Sequence, residues 1–107
     1  MKYETDRCLK GLKSIFEVDN IVLHEKDNAY RGSWKKRGGV GAFMMLCRKW
    51  DRIEAWVEGD GFDIFKAIGE DKRDESILDD IRDLRRYLAL VEAEMKYREN
   101  AALDEKI

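Results

Sequence analysis

Four carboxylates stand in two pairs of equal spacing, Asp51 with Glu54 and Asp80 with Asp83. Residues three apart share one face of an α-helix, so each pair points two acids in one direction wherever its segment is helical. Each pair also borders an apolar seam. Trp50 and Ile53 adjoin the first, and Ile81 and Leu84 adjoin the second. Packed antiparallel, two such seams bring both pairs to the rim of one interface. Two unit charges about 4 Å apart repel by roughly 4 kcal/mol at an intermediate dielectric. A convergent cluster therefore needs a metal ion, a proton or neighbouring cations. Arg48, Lys49, Arg52, Arg82, Arg85 and Arg86 are close enough in sequence to serve as those cations. Acid pairs of this spacing are also common on ordinary solvated helix faces. Spacing alone leaves both possibilities open. Asp79 adds a fifth acid, either as a first-turn charge favourable to the helix dipole or as a spare ligand.

A second chemistry-bearing stretch is Ala29–Gly41. It holds Arg31, Lys35, Lys36 and Arg37, the rings of Tyr30 and Trp34, the hydroxyl of Ser33, and four glycines from Gly32 to Gly41. That glycine density predicts a loop, neither helix nor strand. The stretch matches neither the P-loop nor the dinucleotide fingerprint, and a plain connector is the alternative. A simple connector, however, seldom needs two exposed rings among four cations. Magnesium prefers oxygen ligands and commonly binds substrate phosphates while keeping some waters. Acid pairs on helices facing a basic, aromatic loop are what a metal-assisted nucleotide site requires.

The elements that must position these groups follow from periodicity. From about Tyr3 to Asn28, Cys8, Leu12, Ile15, Asp19 and Val22 recur at four and three, predicting one long helix with its only weak point at Asp19-Asn20. Phe43, Leu46, Trp50, Ile53 and Val57 predict an amphipathic helix from Ala42 to about Glu58, ended by Gly59-Asp60-Gly61. Phe62, Phe65 and Ile68 suit one or two helical turns capping the core. Residues 69–75 read as a solvated linker leading to Ser76, an N-cap with Asp79 three residues on. Ile77, Ile81, Leu84, Leu88, Val91 and Met95 then predict the last helix. About residues 1–4 and 98–107 are expected to fray. Trp50 and Trp56 suit a core or subunit interface, and His24 a surface position.

The whole chain of 107 residues is expected to form a single all-α domain: a bundle of three main helices and a short connecting one. It has no proline, and its 41% charged content goes with apolar residues at fixed spacing, which fits amphipathic helices better than disorder. A net charge of −2 argues against duplex nucleic acid as a direct partner. Cys8 and Cys47 lie in no paired pattern and His24 is the only histidine, so zinc is not expected. No apolar run reaches the length of a membrane span, and a soluble protein of a reducing compartment is the expectation. Three long helices carry more apolar face than one small core needs, so a homo-oligomer, dimer or tetramer, is expected.

Asp51-Arg-Ile-Glu54, a gap of 25 residues, and Asp80-Ile-Arg-Asp83 resemble the E-x-x-E and E-x-x-D motifs of the all-α nucleoside triphosphate pyrophosphatases, the MazG-like proteins and dimeric dUTPases. Asp83-Leu-Arg-Arg-Tyr87-Leu88 is similar to the continuation of the second motif. The stretches 28–34, 48–52 and 79–88 also resemble the nucleotide modification associated domain proteins of phages and bacteria, over about residues 5–95. The resemblance implies an all-helical fold and Mg²⁺, or Mn²⁺, held by Asp51, Glu54, Asp80 and Asp83. It further implies cleavage between the α- and β-phosphates of a free or modified nucleoside triphosphate, in the cytoplasm of a bacterium or a phage-infected host. Lys35, Lys36, Arg37 and Ser33 in the loop and Lys49 on the acid-bearing helix would meet phosphates. Tyr30 or Trp34 would stack on the base, and Tyr87 would either face the site or make a structural hydrogen bond. Aspartate stands where the family has glutamate at the first and third acid positions. That shortening favours binding over turnover, so a non-catalytic module that sequesters a nucleotide or cyclic nucleotide is the alternative. An accessory protein of nucleotide or DNA modification is a third reading.

Overall fold

The 26-residue helix α1, Thr5–Tyr30, passes through Asp19 and Asn20 without interruption, as its periodicity predicts. It belongs to a computed structural model that describes residues 5–105, so the fraying expected at 1–4 lies outside the described residues. The chain divides into two compact units, Met1–Ser33 and Trp34–Ile107. In the first unit α1 leaves Leu9, Phe16 and Ile21 exposed. It ends at Arg31 and Gly32, both in the left-handed region, where a glycine carries little strain.

A single 3-10 turn, Ser33–Lys35, is followed by α2, Gly38–Glu58. The loop expected over 29–41 is therefore shorter than glycine content suggests, because Gly39, Val40 and Gly41 are already helical. One of these glycines has a packing reason. A Cβ on Gly41 would lie 2.8 Å from the Arg37 Cβ, too close for any side chain without a local shift. The entropic penalty of glycine in a helix, about 1 kcal/mol each, is outweighed here by what α2 buries further along.

Helix α3, Ile64–Glu70, and helix α4, Ile77–Glu105, complete the second unit. The described residues thus form four α-helices and no strand, an all-α fold. Helix α4 continues to Glu105 where fraying was expected from residue 98; its last turns are built of helix-favouring Ala, Leu and Glu with no glycine. Ile53 and Val57 of α2, Ala67 of α3 and Ile77 of α4 form a small buried core, with Ile64, Ile68, Ile81 and Leu84 packed around it. The capping role expected of α3 is met by Ile64, Ala67 and Ile68. Phe62 and Phe65 point outward, Phe65 being 85% exposed.

Helices α2 and α4 run antiparallel. Lys35, just before α2, reaches Glu94 in the second half of α4, Lys49 reaches Asp83 and Asp80, and Arg52 reaches Asp80 and Glu75. The partners on α4 descend as the residues on α2 ascend. These contacts fix a seam different from the apolar one. Ile53, Val57, Ile77, Ile81 and Leu84 lie on it as predicted, while Phe43, Trp50, Leu88 and Met95 are exposed. From Tyr87 onward the half-buried positions of α4 are Tyr87, Leu90, Val91, Glu94 and Ala101.

The start of α4 is capped twice. Ser76 and Asp79 form the reciprocal box read from the sequence: Ser76 N–H donates to Asp79 Oδ2 at 2.9 Å, and Asp79 N–H to Ser76 Oγ at 3.4 Å. The Ser76 backbone N–H first, and the Ser76 hydroxyl donating to the same Oδ2 at 3.2 Å second, lower the Asp79 pKa. Asp71 supplies the second cap, accepting from the Ile77 N–H at 2.8 Å. The linker is therefore not wholly solvated, because the Asp71 side chain is only 1% exposed.

Candidate functional site

Asp80 lies in the α2–α4 seam, in the first turn of α4, and is 2% exposed. The step from Ile77 to Asp80 is three residues, so the two share a face, and the packing that buries Ile77 also takes the carboxylate out of water. Burial of an unpaired charge is costly, and two cations of α2 answer it. Arg52 Nε donates to Asp80 Oδ1 at 2.9 Å, and Lys49 Nζ stands 3.9 Å from the same oxygen. Lys49 also pairs with Asp83 Oδ2 at 3.0 Å, so its ammonium lies between the two acids. Arg52 extends through Nη2 to Glu75 at 3.4 Å. The other Asp80 oxygen, Oδ2, is buried and has no hydrogen-bond partner.

The second acid pair does not join this cluster. Lys49 and Ile53 are four apart on α2, and both are turned toward α4. Asp51 is two residues from each, about 200° around the helix at about 100° per residue, and it is exposed. Glu54 is exposed and accepts from the Trp50 indole Nε1 at 2.9 Å. Accordingly, no three acidic, histidine or cysteine side chains among the described residues gather into a group that could hold a metal ion. In this chain the structure brings together Asp80, Asp83, Lys49 and Arg52, and leaves Asp51 and Glu54 outside. Half-buried Tyr87 stands one turn beyond Asp83 on α4.

The loop residues divide between the two units. Tyr30 is exposed at the end of α1, and Ser33 is the last residue of the first unit. In the second unit Lys35 Nζ bonds Glu94 Oε2 at 2.8 Å and lies 6.0 Å from the centre of the Trp34 ring. The Lys35 bond is the main cause of a lowered Glu94 pKa, with Arg98 a lesser one. Lys36 and Arg37 are exposed beside the first turn of α2. That turn has no side-chain cap and no acid. Lys49 lies 11 residues beyond Gly38, the first residue of α2, about 17 Å of helix rise, so the basic turn at the start of α2 is well removed from Asp80.

A third cluster was not legible as a site. Arg73 donates to Asp71 Oδ1 through Nε at 3.0 Å and to Oδ2 through Nη2 at 2.9 Å, a bidentate pair. The guanidinium also lies 3.5 Å from the centre of the Trp56 ring. The Arg73 bond first, and the Ile77 backbone N–H second, hold the Asp71 carboxyl far below the usual carboxylate range. Trp56 is thus no core residue, but the face against which the linker is clamped. The only sequence signal was an aspartate six residues ahead of a helix start, which is weak. His24 is exposed, as expected, with Nδ1 2.7 Å from the Asn20 carbonyl of its own helix.

These features define an all-α protein whose α2–α4 seam carries a buried, cation-matched carboxylate. No family model matches the chain, and neither a curated protein nor a solved structure does.

Proposed function

We propose that this chain binds a phosphorylated nucleotide through a divalent cation, Mg²⁺ or Mn²⁺, held by Asp80 and Asp83. The observation that carries the proposal is the Asp80 carboxylate, buried at 2% exposure with Oδ2 unpartnered. A buried acceptor without a partner is rare and costly, and a hard cation is the kind of group that satisfies it. Magnesium is commonly held by one or two carboxylates together with waters and substrate phosphates, so the donor set Asp80 and Asp83 fits in kind and number. Such an ion, when bound, neutralises charge and polarises a phosphate oxygen. Arg52 fixes the Asp80 carboxylate through Oδ1, Lys49 supplies a positive charge beside both acids, and Tyr87 offers a ring one turn away. With Asp51 and Glu54 turned from Asp80, binding is better supported than pyrophosphohydrolysis, which the resemblance adds.

Calorimetry with a panel of nucleoside and deoxynucleoside triphosphates in Mg²⁺ or Mn²⁺ tests the proposal. It expects binding that disappears in EDTA. Absence of binding with every nucleotide and both metals would sink it. Analysis of the same mixtures for monophosphate and pyrophosphate separates turnover from retention.

A second reading, metal-free nucleotide sequestration, is favoured by the other end of α2. The uncapped turn Gly38–Gly41, flanked by exposed Lys36 and Arg37, offers backbone N–H groups and positive charge to a phosphate. Binding that persists in EDTA, with the nucleotide recovered intact, would select it over the first.

Self-association is part of the proposal. Val40, Phe43, Met44 and Trp50 are exposed on α2, and burying them against a second copy supports the reading. Sedimentation equilibrium at micromolar concentration is expected to give a dimer or tetramer, and a monomer would contradict it. No helix among the described residues is long and apolar enough to cross a membrane, and both cysteines are free. Both facts are compatible with a cytoplasmic setting.

A further inference from the structure

We infer that α2 pairs antiparallel with α2 of a second copy, about a two-fold axis near Met44 and Cys47, through a stripe that the α2–α4 seam does not use. The inference rests on the self-association reading above and adds the face, the direction and the pairing of charges. Starting from Arg37 at the N-cap of α2, Val40, Met44, Cys47, Asp51 and Glu54 recur at three and four without a break. A row of that spacing is what two helices need in order to pack side by side. It is separate from the row of Lys49, Ile53 and Val57 that meets α4. Ile53 and Val57 are buried, whereas Val40 and Met44 are 77% and 57% exposed. Phe43 and Trp50, each more than half exposed, flank the stripe along one edge.

Charge selects the direction. In a parallel pair Arg37 would meet Arg37 and Glu54 would meet Glu54; in an antiparallel pair a cation meets an acid at both ends. A two-fold axis makes each contact twice, so one complementary stripe serves both copies. When Met44 lies over Cys47 of the second copy, the same alignment sets Arg37 opposite Glu54, with Asp51 one turn away. It also sets Phe43 beside Trp50, a ring-on-ring contact of the kind that adds to area burial. These charges are not spent within the chain. Among the described residues Arg37 and Asp51 have no ion pair, and Glu54 accepts from the Trp50 indole Nε1. The acid pair that α2 turns away from Asp80 thus has a counterpart of opposite sign on the same stripe.

The test is sedimentation equilibrium of the full chain at micromolar concentration, with helicity checked by circular dichroism. Wild type is compared with Met44→Glu, Arg37→Glu, Glu54→Arg and the last two combined. Met44→Glu is expected to halve the mass of the assembly. Arg37→Glu and Glu54→Arg are each expected to weaken association by about fivefold or more, and their combination to recover most of that loss. A monomeric wild type, whose stripe is left to a different partner, overturns the inference together with the self-association reading. An assembly whose mass Met44→Glu leaves unchanged overturns the α2 face alone. Losses that merely add in the combined variant overturn the antiparallel pairing, and this comparison stands even if Met44→Glu does not fold.

Discussion

Arg52 Nε meets Asp80 Oδ1 at 2.9 Å across the α2–α4 seam, and the opposite oxygen of that carboxylate is buried without a partner. One half of the acid thus ties the two helices together, and the other half is buried with its acceptor capacity unmet. Buried pairs of this kind contribute little net stability against an apolar replacement, yet losing one partner leaves an uncompensated charge. Arg52→Met is therefore expected to cost about 3 kcal/mol in urea unfolding, and joining it with Asp80→Leu is expected to restore most of that loss. Additive losses in the double variant would contradict this.

Asp71 is expected to make the linker sensitive to acid. Its folded pKa lies below the unfolded value of about 3.9, so its contribution is fully present above that pH and is lost as pH falls toward the folded pKa. Asp71→Asn should melt at a lower temperature than wild type at pH 7. The gap between the two should narrow as the pH is taken below about 4. A gap of constant size would show that charge on Asp71 is not what clamps Arg73 and caps α4.

The first turn of α2 separates two kinds of glycine. Gly39 has open space where a Cβ would stand and an ordinary backbone, so Gly39→Ala is expected to stabilise by about 0.5–1 kcal/mol. Gly41→Ala would place its Cβ 2.8 Å from Arg37 and is expected to destabilise by about 1–2 kcal/mol. Thermal unfolding of the two variants checks the pair, and equal effects would contradict the packing account.

Glu94, within α4, ties that helix to the segment before α2 through Lys35. Glu94→Gln keeps the shape of the side chain but removes its charge. Amide hydrogen exchange across residues 34–38 is expected to quicken in that variant, with exchange in the Ile53–Val57 core unchanged. Unchanged exchange at 34–38 would show that the ion pair does not order the turn.

Apolar spacing was enough to place α1, the body of α2 and α4, and even the Ser76–Asp79 cap, because each rests on signals local in sequence. It did not place Gly38–Gly41 in a helix, since intrinsic propensity there is overruled by packing that α2 makes further along. The choice of seam was beyond it too. Leu88 and Met95 look like core by spacing, but Lys35 and Glu94 pair across the helices, and α4 turns Glu94 and Tyr87 inward instead. The same rotation decides the site. Asp80 and Asp83 were legible as a pair and lie together, with Lys49 and Arg52 among the cations named for them. Asp51 and Glu54 have the same spacing, but periodicity cannot say which side of α2 meets α4. Asp71 stayed invisible because its partners are a residue two ahead and a backbone N–H six ahead, a pattern with no periodic signature.

The central claim is that Asp80 and Asp83 hold a divalent cation. Its most direct test is the melting temperature of wild type and of Asp80→Asn/Asp83→Asn over a Mg²⁺ titration, each with and without a nucleoside triphosphate. The account predicts that Mg²⁺ raises the wild-type melting temperature in a saturable way, further with nucleotide, and leaves the double variant unmoved. A wild type indifferent to Mg²⁺ in both series, or a double variant that responds as wild type does, would contradict it.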